Sequence, residues 1–153
     1  MVLLKAPSGY DISHSEPRWP ADIFVSVPER DDDIGAIRFA ESVVHEAMHL
    51  HLSNFERRFP LVANTPKTMM SPWRSEQRPV QGILHGLFVF SCLYNFFEQL
   101  SDKALVRQVK THCASRLVTI GEEIRSIDLE ELGDSLTQVG KALAFQWRLS
   151  SDT

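Results

Sequence analysis

The apolar positions of this chain change rhythm as the sequence proceeds. Pro7, Pro17, Pro20 and Pro28 punctuate the first thirty or so residues. Each proline ring locks φ and removes a donor, so no long helix forms there. Within that segment "IFVSV", Ile23–Val27, alternates large apolar and small residues and predicts a short strand. From Ile34 to about Arg58 the pattern turns helical. Pro60 and Pro66 interrupt it, and Phe59–Arg78 reads as a long loop, a length that compact domains usually keep for function. Pro79 is placed as the first residue of a second helix, where its missing N–H costs nothing, and this helix runs to about Leu100. Ser101 predicts the cap of a third helix whose seam is Val106, Val109, Cys113, Leu117, Ile120 and Ile124. Asp128 predicts the cap of a fourth, with the stripe Leu129, Leu132, Leu136, Val139 and Leu143. These later helices, over about 101–150, are helical support rather than chemistry. The predicted architecture is mainly α, about four packed helices with an irregular N-terminal segment holding one or two short strands.

Composition narrows the function classes. At 153 residues the chain predicts one domain, long enough to bury a sizeable core. A hydrophobic fraction of 43% and a charged fraction of 24% fit a soluble globular protein. Val80–Phe97 is almost long enough to span a bilayer. Gln81, His85 and Asn95 are expensive in lipid, so it reads as a core helix surrounded by other helices. A net charge of −4 offers no basic face for nucleic acid. The opening "MVLLKAPSGYD" has too short an apolar run for a signal peptide. Cys92 and Cys113, far apart and in helical contexts, read as buried thiols of a reducing cytoplasm rather than a disulfide. The expectation is a cytoplasmic protein with no membrane or nucleic-acid partner.

Candidate chemistry sits in the first helical run, in "SVVHEAMHLHL", Ser42–Leu52. Residues i and i+4 share a helix face, so His45 and His49 can aim both imidazoles at one metal ion. Glu46 lies about 100° round the helix, within reach of a metal-bound water but poorly placed as a third ligand. Two imidazoles flanked by Val44, Met48 and Leu52 are costly without partners. The extended zincin pattern has a further His six residues on, where this chain has Phe55. His51 faces away and reads as a surface residue. His85, in "GILHGLF", is the best third ligand, with Glu41 and Glu98 as alternatives. Gly82 and Gly86 flank His85 and allow close backbone approach. Arg74 and Arg78, in "SPWRSEQRP", stand just ahead of the second helix, where a guanidinium suits a carboxylate.

The ordered set "AESVVHEAMHLHL", "PLV" and "SPWRSEQRPVQGILHGLFVF" resembles the HEXXH-motif domain family, the 2-oxoglutarate-dependent HExxH-type peptide β-hydroxylases of ribosomal peptide natural-product biosynthesis. The resemblance covers about Ile23–Leu100, roughly half the chain. It implies a mononuclear non-haem iron(II) dioxygenase that hydroxylates a side-chain β-carbon of a precursor peptide. His45, His49 and His85 are then the metal ligands, Glu46 the motif acid, and Arg74 or Arg78 the anchor for 2-oxoglutarate. Besides the precursor peptide, a partner protein or a homo-oligomer is compatible with the pattern. The residues alone also allow a zinc peptidase with Glu46 as general base. Its usual oxyanion donor is not visible: Tyr94 is nine residues past His85, on the opposite side of its helix, and Tyr10 is unplaced. A non-catalytic, metal-stabilised binding module is the third possibility.

Overall fold

The computed structural model describes residues 1–149 apart from 17, 20 and 21, so Pro17 and Pro20 lie outside the described residues. Three short strands open the chain: β1 (Val2–Leu4), β2 (Ser13–Ser15) and β3 (Ile23–Ser26). They form one sheet in the order β1-β3-β2, with β1 parallel and β2 antiparallel to β3. The strand expected at Ile23–Val27 is the middle one. The segment was expected to hold one or two strands and holds three; β1 and β2 were not placed, because runs of three residues carry no legible alternation.

Helix α1 (Asp33–Glu56) follows. Asp32 caps it, its carboxylate accepting from the Gly35 N–H at 2.8 Å. Ile34, Ile37, Leu50 and Leu52 are buried on it, and the sheet lies against it through β2 and β3.

The segment read as a long loop contains a hairpin, β4 (Thr68–Ser71) and β5 (Glu76–Pro79). Met69 and Ser71 point inward while Thr68 and Met70 face solvent, an alternation too brief to stand out from sequence. Ser75 closes the turn at φ 51°, its N–H donating to the Ser71 carbonyl at 2.9 Å. Pro79 ends β5 and caps the next helix, one residue earlier than the helical position expected for it.

Helix α2 (Val80–Lys103) is the centre of the core. Ile83, Leu84, Leu87, Leu93 and Phe97 are essentially inaccessible on it. It packs against α1, α3 (Arg107–Arg125), α5 (Gln138–Leu149) and the hairpin. By length and composition α2 matches a membrane span, yet half of its most apolar window is buried inside the protein. Ser101 is not a cap: nothing in Ser-Asp-Lys stops α2, and the break comes at extended Ala104. Val106 takes the cap position of α3 without a side-chain hydrogen bond and is half exposed, so it leaves the expected seam. Val109, Cys113, Ile120 and Ile124 keep it. Both thiols are free.

The expected fourth helix is two. Asp128 does cap α4 (Leu129–Gly133), accepting from the Glu130 and Glu131 N–H groups at 2.9 Å. The chain then pairs with the 61–63 segment: Thr137 N–H donates to Leu61 and Ala63 N–H to Ser135, both at 2.9 Å. Those bonds replace helical ones, and the Thr137 hydroxyl starts α5 by accepting from the Gly140 N–H. Leu136 and Val139 therefore do not continue one stripe; Leu136 is buried beside Val62 and Val139 is 47% exposed.

Candidate metal centre

Helix α1 presents His45 and His49 one turn apart, with ring centroids 4.8 Å from each other. Helix α2 brings His85 against His49, centroids 5.7 Å apart and planes within 20°. Nδ1 of His49 and Nδ1 of His85 face each other at 3.4 Å. Two nitrogens bound at 2.0–2.1 Å to one ion, 90–110° apart, stand roughly 2.8–3.4 Å from each other. The observed gap is at the upper edge of that window. Among the described residues, however, no group of three His, Cys, Asp or Glu side chains is already gathered around one ion-sized point. The donors fit a metal in type, and the His49–His85 pair fits one in spacing.

What holds His85 is Glu56, which the sequence reading missed. Its Oε2 accepts from His85 Nε2 at 2.7 Å and from the Gln81 amide at 3.0 Å. A proton fixed on Nε2 leaves Nδ1 as the lone-pair nitrogen, the one turned to His49. Glu56 is eleven residues past His45, about 20° from it around the helix, so it shares the histidine face two to three turns on. That spacing was the available signal. Burial raises the Glu56 pKa, but the His85 and Gln81 hydrogen bonds and the His85 charge outweigh it and the net shift is downward. Burial first, then the neighbouring imidazoles and Arg78, push His49 down to about 3. Burial also lowers His45, against the opposing charges of Glu46 and Glu41. Neutral imidazole is the form that binds metal.

Glu46 is 5% exposed and lies on the same cleft, with Ser13 Oγ donating to its Oε1 at 2.7 Å. Strand β2 thus supplies a contact that sequence reasoning did not place. Glu41 is paired with Arg116 of α3 rather than turned to the histidines. Glu98 is thirteen residues past His85, about 20 Å along α2. Neither carboxylate lines the cleft. His51 is exposed, and Tyr94 packs on the core. Tyr10 is 70% exposed and belongs to a separate cavity.

The cleft over the histidines has a volume of about 470 Å³, and both Arg74 and Arg78 line it. Arg74 is exposed at the hairpin turn; Arg78 is half buried on β5, with only a 3.9 Å approach to Glu76. The two guanidiniums therefore come from a hairpin that folds over the cleft, not from the helix itself.

Gly86 has a different purpose from the helix contact expected of it. A Cβ there would lie 2.3 Å from Cζ3 of Trp73. The missing side chain admits the indole, which stacks on Phe90 at 4.8 Å, and Phe90 in turn meets the His45 ring edge-on at 5.6 Å. Gly82, by contrast, faces Arg78, with ordinary contact at 3.7 Å.

No protein-family model matches the chain. No curated protein matches it either.

Proposed function

We propose that this protein is an iron(II)- and 2-oxoglutarate-dependent oxygenase that hydroxylates a side-chain β-carbon of a ribosomally made peptide. The observation that carries the reading is the facing pair His49 Nδ1 and His85 Nδ1 at 3.4 Å, in a cleft that Arg74 and Arg78 also line. His45 joins the pair as the third imidazole. Iron held by neutral imidazoles with open positions supplies oxygenase chemistry: 2-oxoglutarate and O₂ become succinate and CO₂ while one oxygen atom enters a C–H bond. Glu56 keeps His85 in the required tautomer. Both guanidiniums act on the histidines, Arg74 depressing His45 and Arg78 depressing His49, and the half-buried Arg78 is the better covered partner for the distal carboxylate of 2-oxoglutarate. The resemblance of the HEAMH, WR, RP and LHG segments to the HEXXH-motif peptide hydroxylases supports the same reading, and with it a precursor-peptide partner; the two separate cysteines support a cytoplasmic setting.

One observation favours a second reading, a zinc peptidase: the Glu46 carboxylate lines the cleft beside His45 and His49. Ser13 already occupies one of its oxygens, which suits a positioning role better than proton abstraction. The test is anaerobic loading with iron(II), then 2-oxoglutarate and isotopically labelled O₂. The proposal expects succinate formation that requires iron and oxygen, with label in both succinate and hydroxylated peptide. Metal-dependent peptide cleavage under nitrogen, without 2-oxoglutarate turnover, would transfer the assignment to the peptidase.

A further inference from the structure

Strand β2 is the edge of its sheet, and the edge runs along the cleft. Ser26 N–H donates to the Ile12 carbonyl at 2.8 Å, so the Ile12–Ser26 pair is a bonded one. Alternation in an antiparallel ladder then makes His14–Phe24 the next bonded pair. It leaves the N–H and C=O groups of Ser13 and Ser15 pointing away from β3. Among the described residues no backbone group takes them up. Side chains on a strand alternate between faces. The Ser13 hydroxyl reaches Glu46 on α1, whereas His14 is on the other face, stacked on Phe24 at 4.6 Å. Yet Ser13, His14 and Ser15 all line one cleft, the cleft of the histidines. A cavity that touches successive residues from both faces passes along the strand's edge.

We propose that this edge docks the substrate: an extended peptide adds to β2 as a fourth strand, through the main-chain groups of Ser13 and Ser15. Main-chain pairing supplies affinity that is indifferent to side-chain identity, and the alternation of the added strand turns every second side chain toward the histidine floor. The occupant is a stretched segment of another polypeptide, because only a peptide backbone offers donors and acceptors at the strand repeat. The inference rests on the peptide reading of the site but not on the redox chemistry.

The test is a binding experiment without turnover. Random dodecapeptides are selected by display on the full chain loaded with cobalt(II), and the tightest binder is synthesised with single N-methyl groups at each position in turn. N-methylation at two alternate positions is expected to weaken binding tenfold or more, with little change at the position between them. Ser15→Pro removes one outward donor while leaving the β3 ladder intact, as prolines on sheet edges do. It is expected to lose at least tenfold in peptide affinity while its cobalt spectrum and amide spectrum stay those of a folded, metal-loaded protein. Should that variant fail to fold, the N-methyl series decides. The proposal is overturned by a flat N-methyl profile, by undiminished binding to folded Ser15→Pro, by a selection that yields no binder, or by a dimer in sedimentation that pairs one β2 with another. Peptide docking at the edge with no 2-oxoglutarate turnover would leave this inference standing and remove the oxygenase.

Discussion

Glu56 accepts a hydrogen bond from Nε2 of His85 at 2.7 Å, and by doing so turns the other nitrogen of that ring toward His49. The carboxylate holds the imidazole from behind, with Gln81 as a second donor to the same oxygen. Glu56→Ala should lower cobalt(II) or zinc affinity by about ten- to a hundredfold, the usual cost of losing a carboxylate behind a metal-binding histidine. Glu56→Gln keeps an acceptor oxygen and should fall less. His51→Ala, exposed on the other side of α1, is the control and should titrate like wild type. Equal affinities across the series would remove Glu56 from the site.

Among the described residues Arg78 makes one ion pair, a loose one to Glu76 at 3.9 Å. If it receives the distal carboxylate of 2-oxoglutarate, Arg78→Ala should raise the KM for 2-oxoglutarate by about ten- to a hundredfold, the loss of roughly 1.5–3 kcal/mol from a charge-assisted contact. The KM for peptide should move much less. Arg78→Lys should rescue poorly because an ammonium cannot form the two-pronged contact. The informative contrast is Arg74→Ala, which is more exposed and should cost less; the reverse order would exchange the two roles.

How much of this was legible in the sequence depends on the reach of each signal. The i, i+4 histidines and the two long amphipathic runs are local, so α1 and α2 were readable. The capping carboxylate of Asp128 was readable for the same reason. The stripe from Leu129 to Leu143 misled, because Thr137 trades helical bonds for pairing with Leu61, and no local pattern announces a partner so far away along the chain. His85 was placed with His45 and His49 by its setting in an apolar run between Gly82 and Gly86 and by the resemblance, not by any local spacing. Glu56 escaped because helical phase alone does not say which carboxylate a neighbouring helix will meet. β2 escaped because its meaning lies in which edge it leaves open.

Gly86 makes room for Trp73, and the indole backs Phe90, which touches His45. Gly86→Ala should cost about 1–3 kcal/mol in urea unfolding, the range for overpacking a well-filled interior. Metal affinity should fall with it as the wall behind His45 shifts. Pairing Gly86→Ala with Trp73→Phe removes the clashing ring atoms, so the double variant should be more stable than the sum of the two single costs. Simple additivity would show that the glycine is not kept for the indole.

Metal-free protein should lose stability as pH falls, and the sign follows from the histidines. His49 is held neutral down to about 3 in the fold, against 6.5 when unperturbed. Between those values the unfolded chain binds a proton that the folded one does not, so unfolding becomes easier with each step toward acid. Its contribution is complete above about 6.5 and drains away as pH approaches 3. His45 acts in the same direction. Denaturant midpoints of the metal-free protein should therefore drop from pH 8 to pH 5, and His49→Asn should flatten the slope. A midpoint that rises toward acid would contradict the burial of these rings.

Glu46 separates the two chemistries. Its carboxylate is buried, borders the cleft and is held through one oxygen by Ser13. A zinc peptidase needs that carboxylate to take a proton from water, so Glu46→Gln, which keeps the shape and removes the base, should reduce hydrolysis by about a hundredfold or more. An oxygenase asks only that the side chain hold its place beside His45 and His49. The glutamine can still accept from Ser13, so succinate formation should fall by less, and any fall should follow metal affinity. Ser13→Ala sharpens the comparison. It frees a Glu46 oxygen, which leaves a positioning carboxylate less well held but a general base no weaker. Measured together with cobalt(II) affinity, a large loss of turnover in Glu46→Gln at unchanged metal binding, with Ser13→Ala fully active, would assign Glu46 to proton transfer. Parallel, modest losses in turnover and metal binding in both variants would assign it to holding the site.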